Sequence, residues 1–311
     1  MEAKNLSIFS SRKSKSVTER TAAIILRICA IMSIVAVASI TIYMVISGTP
    51  ALFSQGFADI LFNPVWNPTG KNPEFGILYI IITSIFGVAA AIVIGVPIGL
   101  LTAVYLSEIA QPRARTVVRS AVELLAGIPS VIYGLLGILI INPVMYDIER
   151  ALFANDPNHQ MTGGSNLLSA ILVLAIMILP TLINISQTAL EAVPDNFRKS
   201  SLALGASKIQ TIFKVVIPAA RNGILSAIVL GVGRAIGEAM AIVLVSGNSV
   251  NFPTPFASVR FLTTGIVTDF AYATGVHLDV LYTIGLVLFV FIIVINIVLT
   301  KVVKAGVANG K

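Results

Sequence analysis

The sequence predicts an all-α membrane protein, a polytopic bundle of six transmembrane helices with both termini in the cytoplasm. Three observations predict it. Of 311 residues, 56% are hydrophobic and only 11% are charged, whereas a soluble domain carries about a quarter charged residues. The apolar residues gather into six blocks: Ala22–Ile46, Gly76–Leu106, Val117–Ile141, Leu167–Leu190, Gly223–Val245 and Val280–Thr300. The Lys and Arg fall almost entirely between the blocks, and unevenly. Each block is long enough to cross a hydrocarbon core of about 30 Å at 1.5 Å per residue. Helix is the required form, because lipid offers no partner to an unpaired backbone group.

The first block follows a basic segment, residues 1–21, with Lys4, Arg12, Lys13, Lys15 and Arg20. Ala36-Val37-Ala38 resembles a signal-peptide cleavage site. The apolar run continues past it to Ile46, so the expectation is an uncleaved helix. Cys29 is the single cysteine. Alone, it makes no intrachain disulfide and no cysteine metal cluster. The second block carries Gly87, Gly95, Pro97 and Gly99, which read as a kink or a tight helix contact. Pro129 and Pro180 receive the same reading. Arg113, Arg115 and Arg119 precede or open the third block, and Glu123 lies about one turn inside it. Glu123 has two readings: a partner for Arg119 four residues earlier, or a gate between helices.

Residues 191–221 form a long connection after the fourth block, with Arg198, Lys199, Lys208, Lys214 and Arg221. Lys301, Lys304 and Lys311 follow the sixth block. Residues 22–305 therefore read as the transmembrane domain and 306–311 as a tail. These are sixteen basic residues on one side, against Lys71, Arg150 and Arg260 on the other. The side rich in Lys and Arg is cytoplasmic. The outer side carries Asp59, Glu74, Asp147, Glu149, Asp156, Asp269 and Asp279, read either as solvation or as a docking rim for an external partner. His159 and His277 lie in polar loops, share no ligand spacing, and read as solvated. The formal net charge is +7. A basic balance suits a nucleic-acid binder, but the scatter of these charges over short connections excludes nucleic acid as a partner.

The connection reads EAVPDNFRKSSLALGASKIQTIFKVVIPAAR. Pro194 suits a first helical turn, Gly205 suits a turn or a close backbone approach, and Pro218 predicts a break before the fifth span. Leu202, Ile209, Ile212 and Phe213 recur at roughly helical offsets. Two readings remain open on the residues alone: a helix lying on lipid, or a peg inserted in a partner's groove.

This loop resembles the cytoplasmic signature of ABC-importer permeases: Glu-Ala-Ala, three residues, Gly, nine residues, Ile-any-Leu-Pro. Gly205 matches the glycine, and Val215, Ile217 and Pro218 match the close with conservative changes. The opening triplet departs, falling on Lys199, Ser200 and Ser201, so its acidic position is basic here. Glu123–Ile138, ELLAGIPSVIYGLLGI, and Gly231–Ala241, GVGRAIGEAMA, are similar to stretches of phosphate-uptake permeases. So is Pro64–Ser84, and together they match the PstC-like phosphate ABC transporter permeases over about residues 20–305. The resemblance implies a MetI-like permease fold in the bacterial inner membrane. It implies a coupling helix whose ATPase-facing residues are Lys199, Ser200, Ser201, Gly205, Ala206, Ile209, Phe213 and Pro218. It also implies partners: a second, PstA-like permease, two PstB-like ATPase subunits, a periplasmic PstS-like binding protein, and inorganic phosphate. No Gly-x4-Gly-Lys-Ser/Thr pattern occurs. No cofactor is therefore expected on this chain; ATP and Mg belong to the partner ATPases, and the chain is expected to be a transporter subunit rather than an enzyme.

Arg234 and Glu238 are charged residues inside the fifth block. An arginine mid-span costs about 2.5–3.5 kcal/mol on insertion scales. A spacing of four puts the two on one helical face, so one reading is a self-neutralised structural pair. The other is a substrate path. The guanidinium offers forked donors for an oxyanion, among small residues that leave room (Gly231, Gly233, Ala235, Gly237 and Ala239). The resemblance links this Arg and Glu to phosphate transport, with Glu238 holding Arg234 when phosphate is absent. Two rival functions stand beside it: a permease for another oxyanion or small solute, and a stand-alone ion-coupled transporter.

Overall fold

The computed structural model describes the backbone of residues 2–157 and 159–308, and side-chain surroundings for 19–157 and 159–301. The side chains of Lys4, Arg12, Lys13, Lys15, Lys304 and Lys311 lie outside the latter. The elements run α1 (Glu2–Gly48), α2 (Pro50–Gln55), α3 (Phe57–Leu61), a two-stranded hairpin pairing Trp66 with Phe75 and Asn67 with Glu74, then α4 (Leu78–Val104). They continue with α5 (Pro112–Gly127), α6 (Ser130–Leu136), α7 (Asn142–Phe153), α8 (Leu167–Glu191), α9 (Asp195–Ala203), α10 (Lys208–Thr211), α11 (Ile217–Ile236), α12 (Met240–Val245), α13 (Leu262–Asp269) and α14 (Val276–Ala308). Three π-helical turns are inserted, at Tyr105–Ile109, Gly137–Ile141 and Ile212–Val216. Among the described residues, six helical segments are long and apolar enough to cross a membrane: Glu19–Gln55, Leu78–Ile109, Ser130–Phe153, Leu167–Glu191, Lys208–Ile236 and Val276–Lys301.

The first, second, fourth and sixth of these follow the expected blocks. The third and fifth do not. Pro129 ends α5 by excluding the α-region from Ile128, which is extended (φ −72°, ψ 128°). The third span is therefore Ser130–Phe153, and Val117–Gly127 belongs to a separate helix that carries Arg113, Arg115, Arg119 and Glu123. The fifth span starts at Lys208 rather than Gly223, and Pro218 does not break it. The wide turn at Ile212–Val216 places Pro218 in the first turn of α11, where a missing amide costs nothing. The break comes later, between Ile236 and Met240.

The core sits where α4, α8 and α11 meet. Without a hydrophobic force between helices in lipid, close approach over small residues holds such a bundle together. Gly95 and Gly99 of α4 provide it. A Cβ at Gly95 would stand 2.8 Å from Ile178 Cδ1, and one at Gly99 would stand 2.8 Å from Leu182 Cβ. Gly231 of α11 meets the other side of Leu182. The glycines expected to mark a kink or a contact thus mark a contact. From Glu19 on, helix α1 is exposed along most of its length, and it packs on α14 toward its end. There Thr283 donates to Gly48 O at 2.8 Å, and the Tyr43 and Tyr282 hydroxyls lie 3.2 Å apart.

On the outer side, a polar staple fixes the approach to α8. Glu149 is fully buried; it accepts from the Thr162 amide at 3.0 Å and hydroxyl at 2.8 Å. His159 Nε2 lies 2.9 Å from the same carboxylate, with its ring stacked on Phe153. Asn166 then caps α8 by accepting from Ser169 N. His277 packs beside Trp66 and lies 3.5 Å from Asp269, which also pairs with Arg260 at 2.9 Å. Both histidines, Glu149 and Asp269 are thus internal fastenings. The reading as solvated loop residues fails for them because ring stacking and carboxylate pairing between separated positions draw them inward.

Replacing Gly99 by Leu should force α4 and α8 apart. We expect a loss of about 1–3 kcal/mol, seen as a lower unfolding temperature in detergent, whereas Ile98→Leu, at an exposed position, should leave it unchanged.

Candidate functional site

The break at Gly237-Glu238-Ala239 builds the candidate site. Gly237 is a poor helix former, and the carboxylate of Glu238 competes for the next amides. Its Oε1 accepts from Ala241 N at 2.9 Å, and its backbone carbonyl accepts from Thr263 Oγ1 at 2.6 Å. Glu238 is buried, one residue ahead of the N-cap Ala239, and its carboxylate serves an amide in the first turn of α12. Arg234 lies in the last turn of α11, half-buried, with Nη1 donating to Thr181 Oγ1 of α8 at 3.3 Å. Tyr133 of α6 sits within the field of this guanidinium and donates its hydroxyl to Leu125 O at 2.7 Å.

The expected Arg234–Glu238 pair is therefore not formed; among the described residues no carboxylate pairs with Arg234. The helix ends between the two, so a spacing of four no longer puts them on one face. A neutral hydroxyl is the partner left to the cation. Glu123, expected one turn inside a span, is exposed on α5 and bonded to Arg119 at 2.9 Å, which is the simpler of its two readings. It is not a buried acid.

The residues expected to face an ATPase fall on consecutive elements, from α9 through α10 to the start of α11. Pro194 precedes α9, and Gly205 turns the chain with φ +87°, a left-handed conformation that suits glycine. Ser207 starts α10 in a reciprocal cap with Gln210. The Ser201 and Thr211 hydroxyls, 2.9 Å apart, tie α9 to α10. Lys199, Ser200, Gly205, Ile209, Phe213 and Pro218 are exposed, and Ser201 and Ala206 are half-buried. The surface is apolar for an exposed one: Leu204 is 89% and Ile209 68% exposed, beside Phe197, Leu202 and Phe213. A groove of about 540 Å³ runs past Phe197, Ser201, Leu204 and Val215.

Beneath this surface lies a contact that sequence reasoning missed. Arg198 makes a two-pronged pair with Glu108, Nη2 to Oε1 at 2.6 Å and Nε to Oε2 at 3.2 Å. It also donates to Val193 O and Leu190 O. The paired carboxylate holds the Arg198 guanidinium above its ordinary pKa, against the opposing effect of burial. The available signal was Glu108, an acid just past the end of an apolar block with no basic residue three or four positions away. Thr181 and Thr263 carried no such signal. Among the described residues, no group of three or more His, Cys, Asp or Glu is gathered as a metal site.

Residues 95–306 match the family model described as "Binding-protein-dependent transport system inner membrane component". The chain belongs to that family. Among its relatives, "Probable ABC transporter permease protein YqgH" of Bacillus subtilis is 35% identical, covering 93% of each chain. "Phosphate transport system permease protein PstC" of Mesorhizobium japonicum is 34% identical over 85% of this chain and 83% of the relative. The protein of the same name in Xylella fastidiosa Temecula1 is 34% identical over 83% and 82%. Among solved structures, a bacterial alginate ABC transporter matches with a TM-score of 0.58 at 15% identity, covering 90% of this chain and 92% of that one. The MetNI methionine ABC transporter matches with a TM-score of 0.51 at 20% identity, covering 74% and 94%. The fold is that of ABC-importer permeases, MetI-like, and the chain is a multi-pass inner-membrane transporter subunit.

The cap on α12 is testable. Gln still offers an acceptor oxygen, so Glu238→Gln should preserve stability while Glu238→Ala costs about 0.5–2 kcal/mol, measured by unfolding in detergent. Equal losses in both would restore the ion-pair reading.

Proposed function

We propose that this chain is the transmembrane permease subunit of an ATP-driven phosphate importer and forms part of the anion's path. One observation carries the reading: a half-buried Arg234 guanidinium at a break in a membrane helix, with a threonine hydroxyl and, among the described residues, no carboxylate as its partner. Discontinuous membrane helices place polar groups where substrates pass. A forked guanidinium suits phosphate oxygens. The relatives named as phosphate permeases support the choice of anion.

A second, PstA-like permease completes the path, and a PstS-like protein delivers phosphate from the outer side. Two PstB-like ATPases, carrying ATP and Mg, bind at the surface of residues 199–213. Both termini and that surface face the cytoplasm, following the Lys and Arg distribution. ATP binding favours the outward-facing state by binding it better, and hydrolysis resets it. The rival of a stand-alone transporter gives no role to so exposed an apolar surface.

Two measurements test this. Arg234→Gln should abolish uptake of labelled phosphate, and excess sulfate should not compete in the unmodified protein, with membrane levels unchanged. Unimpaired uptake would make Arg234 a packing residue, and sulfate competition would point to a broader oxyanion path. Leu204→Asp, which leaves the fold untouched because the side chain is exposed, should reduce copurification of ATPase subunits. Undiminished recovery would remove this face from the docking surface.

A further inference from the structure

Helix α9 contributes no buried residue to the bundle. It is fastened instead by polar contacts, and one side chain makes most of them. Arg198 reaches Glu108 in the π-turn that ends α4, through both prongs of the guanidinium, and Asp195 at 3.3 Å on its own helix. The same group donates to Leu190 O at 2.9 Å and Val193 O at 2.6 Å, at the end of α8. The Arg198 side chain is only 20% exposed and that of Glu108 8%, so this is not an ordinary solvated surface pair, which contributes little. Removing one partner would strand a largely buried charge.

We infer that Arg198 is a positioning residue for transport: it makes α9 move as one body with the cytoplasmic ends of α4 and α8. The geometry gives it that task because three elements converge on one planar group. Helix α8 continues from this clamp to Thr181, which holds Arg234. Through α8, a displacement of α9 by a bound ATPase reaches the anion path. The inference rests on the ATP-driven reading above.

The test uses the whole complex in proteoliposomes, with phosphate moved per ATP hydrolysed as the readout. Arg198→Met and Glu108→Gln are each expected to lower that ratio about tenfold, with the double variant no worse than the weaker single. The ratio is taken per assembled complex, so a lower yield does not itself move it, and basal hydrolysis per complex should stay unchanged. Additive losses, or an unchanged ratio, would overturn the inference. Should Arg198→Met fail to assemble, spin labels decide the matter. They are placed at Ala203→Cys and Ile109→Cys, both exposed, in a Cys29→Ser background. Their separation should stay narrow in all nucleotide states and broaden on adding Glu108→Gln. A separation that shifts with nucleotide while Glu108 is intact, or one that does not broaden with Glu108→Gln, sinks the clamp. If the unmodified complex moves no phosphate, the transport reading fails while the label distances still decide the clamp.

Discussion

The bond from Ala241 N to the Glu238 carboxylate is the interaction on which the membrane site depends. A break in a spanning helix frees amides and carbonyls that hydrocarbon cannot satisfy. Glu238 meets one of those amides, and Thr263 meets the Glu238 carbonyl. The carboxylate engaged there is the one that an unbroken helix would have set beside Arg234. Helix break and uncompensated cation are thus one event. Arg234 tolerates the arrangement in part because it occupies the last turn of α11, where the helix dipole favours a positive charge.

Helix α8 is what the site is built against, and it is held at both ends. At one end Asn166 caps it, next to the buried Glu149 that accepts from Thr162. At the other, Arg198 takes the Leu190 carbonyl. Between them, Gly95 and Gly99 of α4 let Ile178 and Leu182 approach to contact. Both fastenings and Thr181 therefore lie on one continuous helix, with Pro180 inside it. Thr181 lies on that helix, so the partner of Arg234 moves when α8 moves.

Most of the bundle was legible in the sequence. The fourth block was expected at Leu167–Leu190 and the helix runs Leu167–Glu191; the second and sixth agree about as closely. Hydropathy reads the environment of side chains, and these helices are continuous, so the two coincide. It does not read backbone hydrogen bonding, which is why the third and fifth spans were misplaced. Pro129 carried a signal against an α-helical Ile128, but it lay inside an apolar run that favoured continuity. The π-turn that accommodates Pro218 left no compositional mark. The candidate site residues were easier to read than their geometry. Arg234 and Glu238 were legible as charges in an apolar block, while their separation was not, since it follows from Gly237 and from a capping bond. Contacts across long separations, such as Arg198 with Glu108, 90 residues apart, become readable only once α4 and α9 are placed.

A lone guanidinium with a hydroxyl partner also bounds what the path can do. Phosphate surrenders strong hydration on entering a low-dielectric site, and a single forked contact replaces only part of it. If Arg234 lines the proposed phosphate path, binding there would be weak, as conduction requires, because an ion held too well does not leave. On that proposal selectivity would be exercised largely before the anion reaches Arg234, by whatever delivers it. Direction must come from elsewhere too, since a ligand that binds two conformations equally shifts neither. On the clamp proposed above, the element that would supply that bias is α9, tied to the end of α8 through Arg198.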